Sequence, residues 1–167
     1  MGSSPSWWAS KARQLGRHLV ARVAPGERAE LAGWLTPAQL SLFDGMPVAD
    51  RRHGLDVVQR LRVGGTDDRD LLLAGLFHDA GKGPSIRLWH RVAWSLGERL
   101  GSWAHRLAGR LPGGGDAMAR LHDHADRSAA LALAAGCAQR TADLIQGVAS
   151  ESDAVAATLL LAADEAG

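Results

Sequence analysis

Seven consecutive apolar residues, Leu71-Leu72-Leu73-Ala74-Gly75-Leu76-Phe77, run directly into His78-Asp79. A helix that is apolar all round has to be buried on all sides. The segment therefore predicts a central helix whose C-terminal end delivers an imidazole and a carboxylate from the core. The last apolar run, Ala-Thr-Leu-Leu-Leu-Ala-Ala ahead of Asp164, repeats the pattern. Buried carboxylates are rare unless paired or bound to metal, because desolvating the charge is costly. Two of them close together repel and take up protons unless a cation lies between them. A divalent ion meets that need. A lysine or arginine does so too, and an acid at a helix end near the surface is simply solvated.

The rest of the chain also reads as helix, so the expected fold class is all-α. There is no Tyr, there are only two Phe, and no stretch alternates apolar and polar residues as a strand does. Ala, Leu and Arg dominate, and all three favour helix. Helices are predicted over residues 5–24, 27–34, 37–45, 47–63, 84–100, 102–110, 116–135, 139–148 and 153–163, and over LLLAGLFHDA. Pro25-Gly26 marks a stop, Thr36-Pro37 a capped start, and Thr66 or Asp67 the cap of the central helix. Gly81 and Gly83 break that helix. Apolar residues make up 46% of the 167, enough for a real core. Residues 1–46 are expected to be a helical extension packed on a main bundle of residues 47–167, both within one unit.

Nineteen basic residues balance eighteen acidic ones, which gives no electrostatic case for general nucleic-acid binding. The single cysteine, Cys137, rules out an internal disulfide and reads as a small core residue; it fits a reducing, cytoplasmic setting. The first residues, MGSSPSWWASKARQLG, lack the apolar stretch of a secretory signal, and no window is apolar enough to span a membrane.

The histidines narrow the function. His18, His90 and His105 have no acidic or histidine neighbour at helical spacing. In VADRRHGLDVVQRL, Leu55, Val57, Val58 and Leu61 share one arc of a helix, and His53 falls at its edge, where it can reach a pocket or merely mark a boundary. His122 and His124 flank Asp123 and, two apart on a helix, point to different faces.

In this order HGLDVV, LLLAGLFHDAGKG and the late Asp of LLLAADEAG resemble the HD superfamily of metal-dependent phosphohydrolases, over about two thirds of the chain from Ala49 onward. The resemblance implies an HD-domain helical bundle in which His53, His78, Asp79 and Asp164 hold one divalent ion. Two imidazoles and two carboxylates suit Mn, Fe, Co, Ni, Zn or Mg. It implies hydrolysis of a phosphomonoester or phosphodiester, a nucleotide among the candidates, by a metal-activated water. Asp79 would bind the ion and orient that water, and Lys82 would contact substrate phosphate. The alternative is an HD-fold module with weak or no catalysis that binds a nucleotide or a partner protein.

The sequence departs from the family's two-metal members. His124, with His122 as a nearby substitute, matches the first of their extra histidines and offers a second metal or phosphate contact. LIQGVASES lacks the later one, so one metal is expected. The Gly-Tyr-Pro signature of the cyclic dinucleotide branch is absent. The chain runs only to Gly167 beyond Asp164, which predicts a less rigid ligand there.

Six tryptophans are many for this length. Trp89, with Trp94, can line a pocket that stacks on a base, or anchor helix packing. Arg87 and Arg91, one turn apart, can steer an anionic substrate or be solvated. Trp7-Trp8 beside Lys11 and Arg13 suits either a surface helix on a membrane or a helix docked on the bundle.

Overall fold

The structure is a computed structural model that describes residues 21–83 and 122–166. Among these residues every regular element is helical. The order is α1 (Pro25–Ala32), α2 (Pro37–Gly45), α3 (Val48–Val63), α4 (Arg69–Phe77), a 3-10 turn (Ala80–Lys82), α5 (His124–Ala134), α6 (Gln139–Gln146), a 3-10 turn (Glu151–Asp153) and α7 (Ala154–Glu165). No single helix among them is long and apolar enough to cross a membrane.

The apolar run forms α4, and all seven of its residues from Leu71 to Phe77 are buried. It lies at the centre, packed by α3, α6 and α7. Fully burying a leucine contributes about 1.5–3 kcal/mol, so this helix anchors the bundle. From α3 come Leu55, Val57, Val58 and Leu61, the arc predicted from the sequence, all buried. Two glycines let the helices approach. A Cβ on Gly54 would lie 2.5 Å from the Leu76 carbonyl oxygen, so α3 crosses α4 backbone to backbone at that point. A Cβ on Gly75 would meet Val57 and Leu61 side chains at 3.0 Å. Cys137 is a buried core residue whose sulfur accepts from the Gln39 amide nitrogen at 3.5 Å.

Several boundaries differ from the sequence expectation. Pro25 opens α1 instead of marking only a stop: it sits at the first helical position, and Glu27 turns back to accept from the Ala24 amide at 2.8 Å. The Thr36 start holds, with a reciprocal capping box to Gln39 at 3.2 and 3.1 Å. The cap of α4 is neither Thr66 nor Asp67 but Asp68, which accepts from the Asp70 and Leu71 amides at 3.0 and 3.3 Å. Its choice is fixed from far along the chain: Arg140 of α6 grips both Asp68 oxygens at 2.8 and 2.7 Å.

The last helix is also a correction. It buries only Leu160 and Ala163, while Val155, Leu159 and Leu161 are exposed among the bundle's surface residues. Among the described residues it lies against α3 and α4, with a smaller contact to α6, and it is less enclosed than α4. An apolar sequence made it look like a second α4.

The Arg140 cluster yields a stability prediction. Arg140 also bonds Asp153 at 2.9 Å, while Thr141 holds Asp70 at 2.8 Å, so three chain segments meet there. The Arg140 hydrogen bond holds the Asp68 carboxyl below its ordinary value near 3.8. A lowered carboxyl stabilises the fold above that ordinary value, and its contribution is lost as pH falls. Arg140→Met is expected to cost about 1–2 kcal/mol at neutral pH. It is also expected to flatten the loss of stability below about pH 4. Urea titrations of both chains across that pH range check it.

Candidate metal centre

Four of the sequence-predicted residues converge at one end of α4. His53 comes from α3, His78 and Asp79 from the end of α4, and Asp164 from the last turn of α7. His53 Nε2 and Asp164 Oδ1 are 2.7 Å apart. From His78 Nε2 it is 3.4 Å to the same Asp164 oxygen and 3.6 Å to Asp79 Oδ1. The two imidazoles meet edge to face with centroids 5.1 Å apart. The ligand atoms of His53, His78 and Asp79 all lie within 4.8 Å of one another.

Local structure aims these groups. His78 Nδ1 donates to the Gly75 carbonyl one turn back at 3.0 Å. That bond fixes the ring, and in the neutral imidazole it leaves the Nε2 lone pair directed into the cluster. His78 Nε2 is buried and has no hydrogen-bond partner. Gly54, next to His53, lets α3 close on Leu76 and so brings His53 up to His78. On the far side, Arg60 of α3 donates to the Ala163 carbonyl at 2.9 Å, which ties α7 down beside Asp164. Asp164 is nonetheless about two-fifths exposed, the least enclosed of the four.

The turn after Asp79 is clasped by α5. Ser128 Oγ donates to the His78 carbonyl at 2.7 Å and accepts from the Gly81 amide at 2.8 Å. Ser128 is fully buried. Gly81 packs so closely that a Cβ would lie 2.6 Å from the Ser128 nitrogen and against the His124 carbonyl.

Lys82 does not point away from the cluster. Its Nζ is 2.6 Å from Asp79 Oδ1, an ion pair by distance in which that oxygen lacks hydrogen-bond alignment. Burial pushes the Asp79 carboxyl up, but Lys82, His78 and His53 beside it hold it well below the usual carboxylate range. Burial likewise raises Asp164, and the His53 hydrogen bond with the neighbouring His78 more than reverses it. Burial pushes the His78 imidazole down, and Asp79 and Asp164 outweigh that to leave it raised.

His53, His78 and Asp79 form a compact group that could hold a divalent ion, and Asp164, bonded to His53, stands outside that group. Two ligands at right angles and ~2.1 Å from one ion lie about 3 Å apart, and the separations of 2.7, 3.4 and 3.6 Å bracket that value. The buried His78 Nε2 makes no aligned hydrogen bond, and the Asp164 and Asp79 oxygens at 3.4 and 3.6 Å pair with it by charge.

The remaining candidates lie elsewhere. His122 is exposed ahead of a bend at Asp123, and His124 is half-buried at the start of α5; neither belongs to the compact group. Arg87, Trp89 and Arg91, with Trp94, His18, His90 and His105, lie outside the described residues. Sequence reading missed Ser128 and Arg60, which carry no motif. Gly54 and Gly75 were detectable as glycines inside helices, a pattern that often marks close packing. Comparison of the chain with protein-family models, curated proteins and solved structures gives no match.

Proposed function

We propose that this chain is a metal-dependent phosphohydrolase of the HD type, hydrolysing a phosphomonoester or phosphodiester. The observation that carries the reading is the convergence of His53, Asp79 and Asp164 on the buried His78 Nε2, which makes no aligned hydrogen bond. His53, His78, Asp79 and Asp164 would hold one divalent ion. Such an ion supplies an activated water and neutralises charge developing on phosphorus. The protein's part is to fix the ligands. Gly75 orients His78, the Ser128 clasp holds the turn that carries Asp79, and Arg60 anchors the helix of Asp164. Asp164, partly open to solvent, leaves a side from which a phosphate ester can reach the cluster. Among the described residues, Lys82, in contact with Asp79, is a cation placed to receive the ester's negative charge.

One observation favours a second reading, a binding module with weak or no catalysis. The Lys82 ammonium already balances the buried Asp79, so the fold does not need an ion to tolerate that charge. The two readings separate in one experiment. Protein purified without chelator is expected to carry about one divalent ion per chain. Loaded with Mn(II) or Co(II), it is expected to hydrolyse at least one member of a panel of nucleotides and generic phosphate esters. Metal without turnover moves the chain to the binding module. No metal, even after Mn(II) or Co(II) is added, overturns the centre itself.

A further inference from the structure

We propose that Lys82 is the built-in counter-cation of Asp79, displaced from it when a divalent ion enters, so that loading the centre releases the lysine toward the phosphate of the substrate. This rests on the metal-centre reading above. The geometry ties both roles to one atom. Asp79 Oδ1 is the oxygen that faces His78 Nε2 at 3.6 Å, and it is also the oxygen that Lys82 Nζ touches at 2.6 Å. An ion taken up on that oxygen would share it with an ammonium, and the two positive charges would repel at close range. The Asp79 side chain is 4% exposed and that of Lys82 19%, so solvent does little to screen them.

The backbone sets up the exchange. The 3-10 turn places Lys82 three residues after Asp79, with the Lys82 amide donating to the Asp79 carbonyl at 3.1 Å. The lysine root is thus held by the main chain while its long side chain can swing. The residue type suits this. The chain uses arginine almost everywhere else, with Lys11 its other lysine. An arginine fork would bind the carboxylate in two-pronged fashion and hold it, whereas a compact ammonium on a flexible stem can leave.

The test compares the wild-type chain with K82M and K82R by calorimetric titration with Mn(II), in low salt and in about 0.5 M salt. K82M is expected to bind the ion on the order of 10–100-fold more tightly in both salts. K82R is expected to bind no more tightly than wild type. If K82M does not fold, K82Q takes its place, keeping a donor for Asp79 without the charge. In the wild-type chain, Mn(II) is expected to raise acylation of Lys82 several-fold relative to Lys11, read by peptide mass spectrometry. If wild type binds the ion and K82M binds it equally, the inference is overturned and the metal centre stands. A gain that vanishes in high salt also overturns it, since it would reflect a general field and not contact with Asp79. Unchanged acylation of Lys82 on loading overturns the displacement. If no chain binds Mn(II), both the inference and the centre fall.

Discussion

Asp79→Asn is expected to weaken Mn(II) or Co(II) binding by at least about 100-fold while leaving helix content unchanged. Asparagine keeps the shape of the side chain and removes its charge. Asp79 is the one carboxylate in the compact group with His53 and His78, so a hard divalent ion loses its main anionic partner there. The fold should tolerate the change. Asp79 lies two residues past the end of α4, and the turn beyond it is held by Ser128 through the main chain and not through the Asp79 side chain. Equilibrium dialysis with circular dichroism checks both halves. Full occupancy in the variant would place the ion on other ligands, and any hydrolysis found by the ester panel is expected to disappear with the metal.

Gly81→Ala is expected to be the most damaging single methyl in the described residues, costing about 3 kcal/mol or more. Gly81 has no left-handed backbone to protect, since it is absent from the positive-φ glycines. Its constraint is space. The new Cβ would meet the Ser128 nitrogen at 2.6 Å, the Arg127 Cβ at 2.7 Å and the His124 carbonyl. Two of those are main-chain atoms of α5, which no rotamer change can move. Relief requires the turn to lift off α5, which breaks the Ser128 clasp and shifts His78 and Asp79 together. Against a total stability of roughly 5–15 kcal/mol for a domain, that is a large loss. Gly45→Ala provides the contrast, because nothing lies within 4 Å of its added Cβ; its effect is expected to stay within about 1 kcal/mol. Urea midpoints of the two variants check the difference, and equal midpoints would show that the α5 contact is not tight in solution.

Gly81 also shows where sequence reading stops. From the sequence it is a helix breaker, which is a local property. Its actual requirement is the proximity of a helix more than forty residues later, and nothing in HDAGKG encodes that. The same limit explains the cap of α4. Thr66, Asp67 and Asp68 are three consecutive residues of capping type, and the choice among them is made by Arg140. What was legible is what periodicity and apolar content decide by themselves: the all-α class, the burial of Leu71 to Phe77, the inward arc of α3, the Thr36 start. The four converging residues were legible only in combination, since each had an ordinary local explanation. The apolar run before Asp164 misled because apolar content cannot tell a helix wrapped on all sides from one laid along a surface. Lys82 was legible as a cation near the site, but its contact with Asp79 needed the 3-10 turn to be seen.

The hydrogen bond between His53 and Asp164 joins residues 111 apart. Contacts of such separation form late, after nearer ones have reduced the entropy of closing the loop. A chain emerging during synthesis therefore holds His53, His78 and Asp79 for the time it takes to make nearly ninety more residues before their fourth companion exists. The α7 segment buries only two of its twelve residues, Leu160 and Ala163. After a single protease cut in the connection between Gln146 and Ala154, only non-covalent contacts such as the Arg60 and His53 bonds would hold Asp164 to the bundle. Resistance of that connection to limited proteolysis thus reports, without any substrate, whether the far end of the chain has been fastened to the bundle.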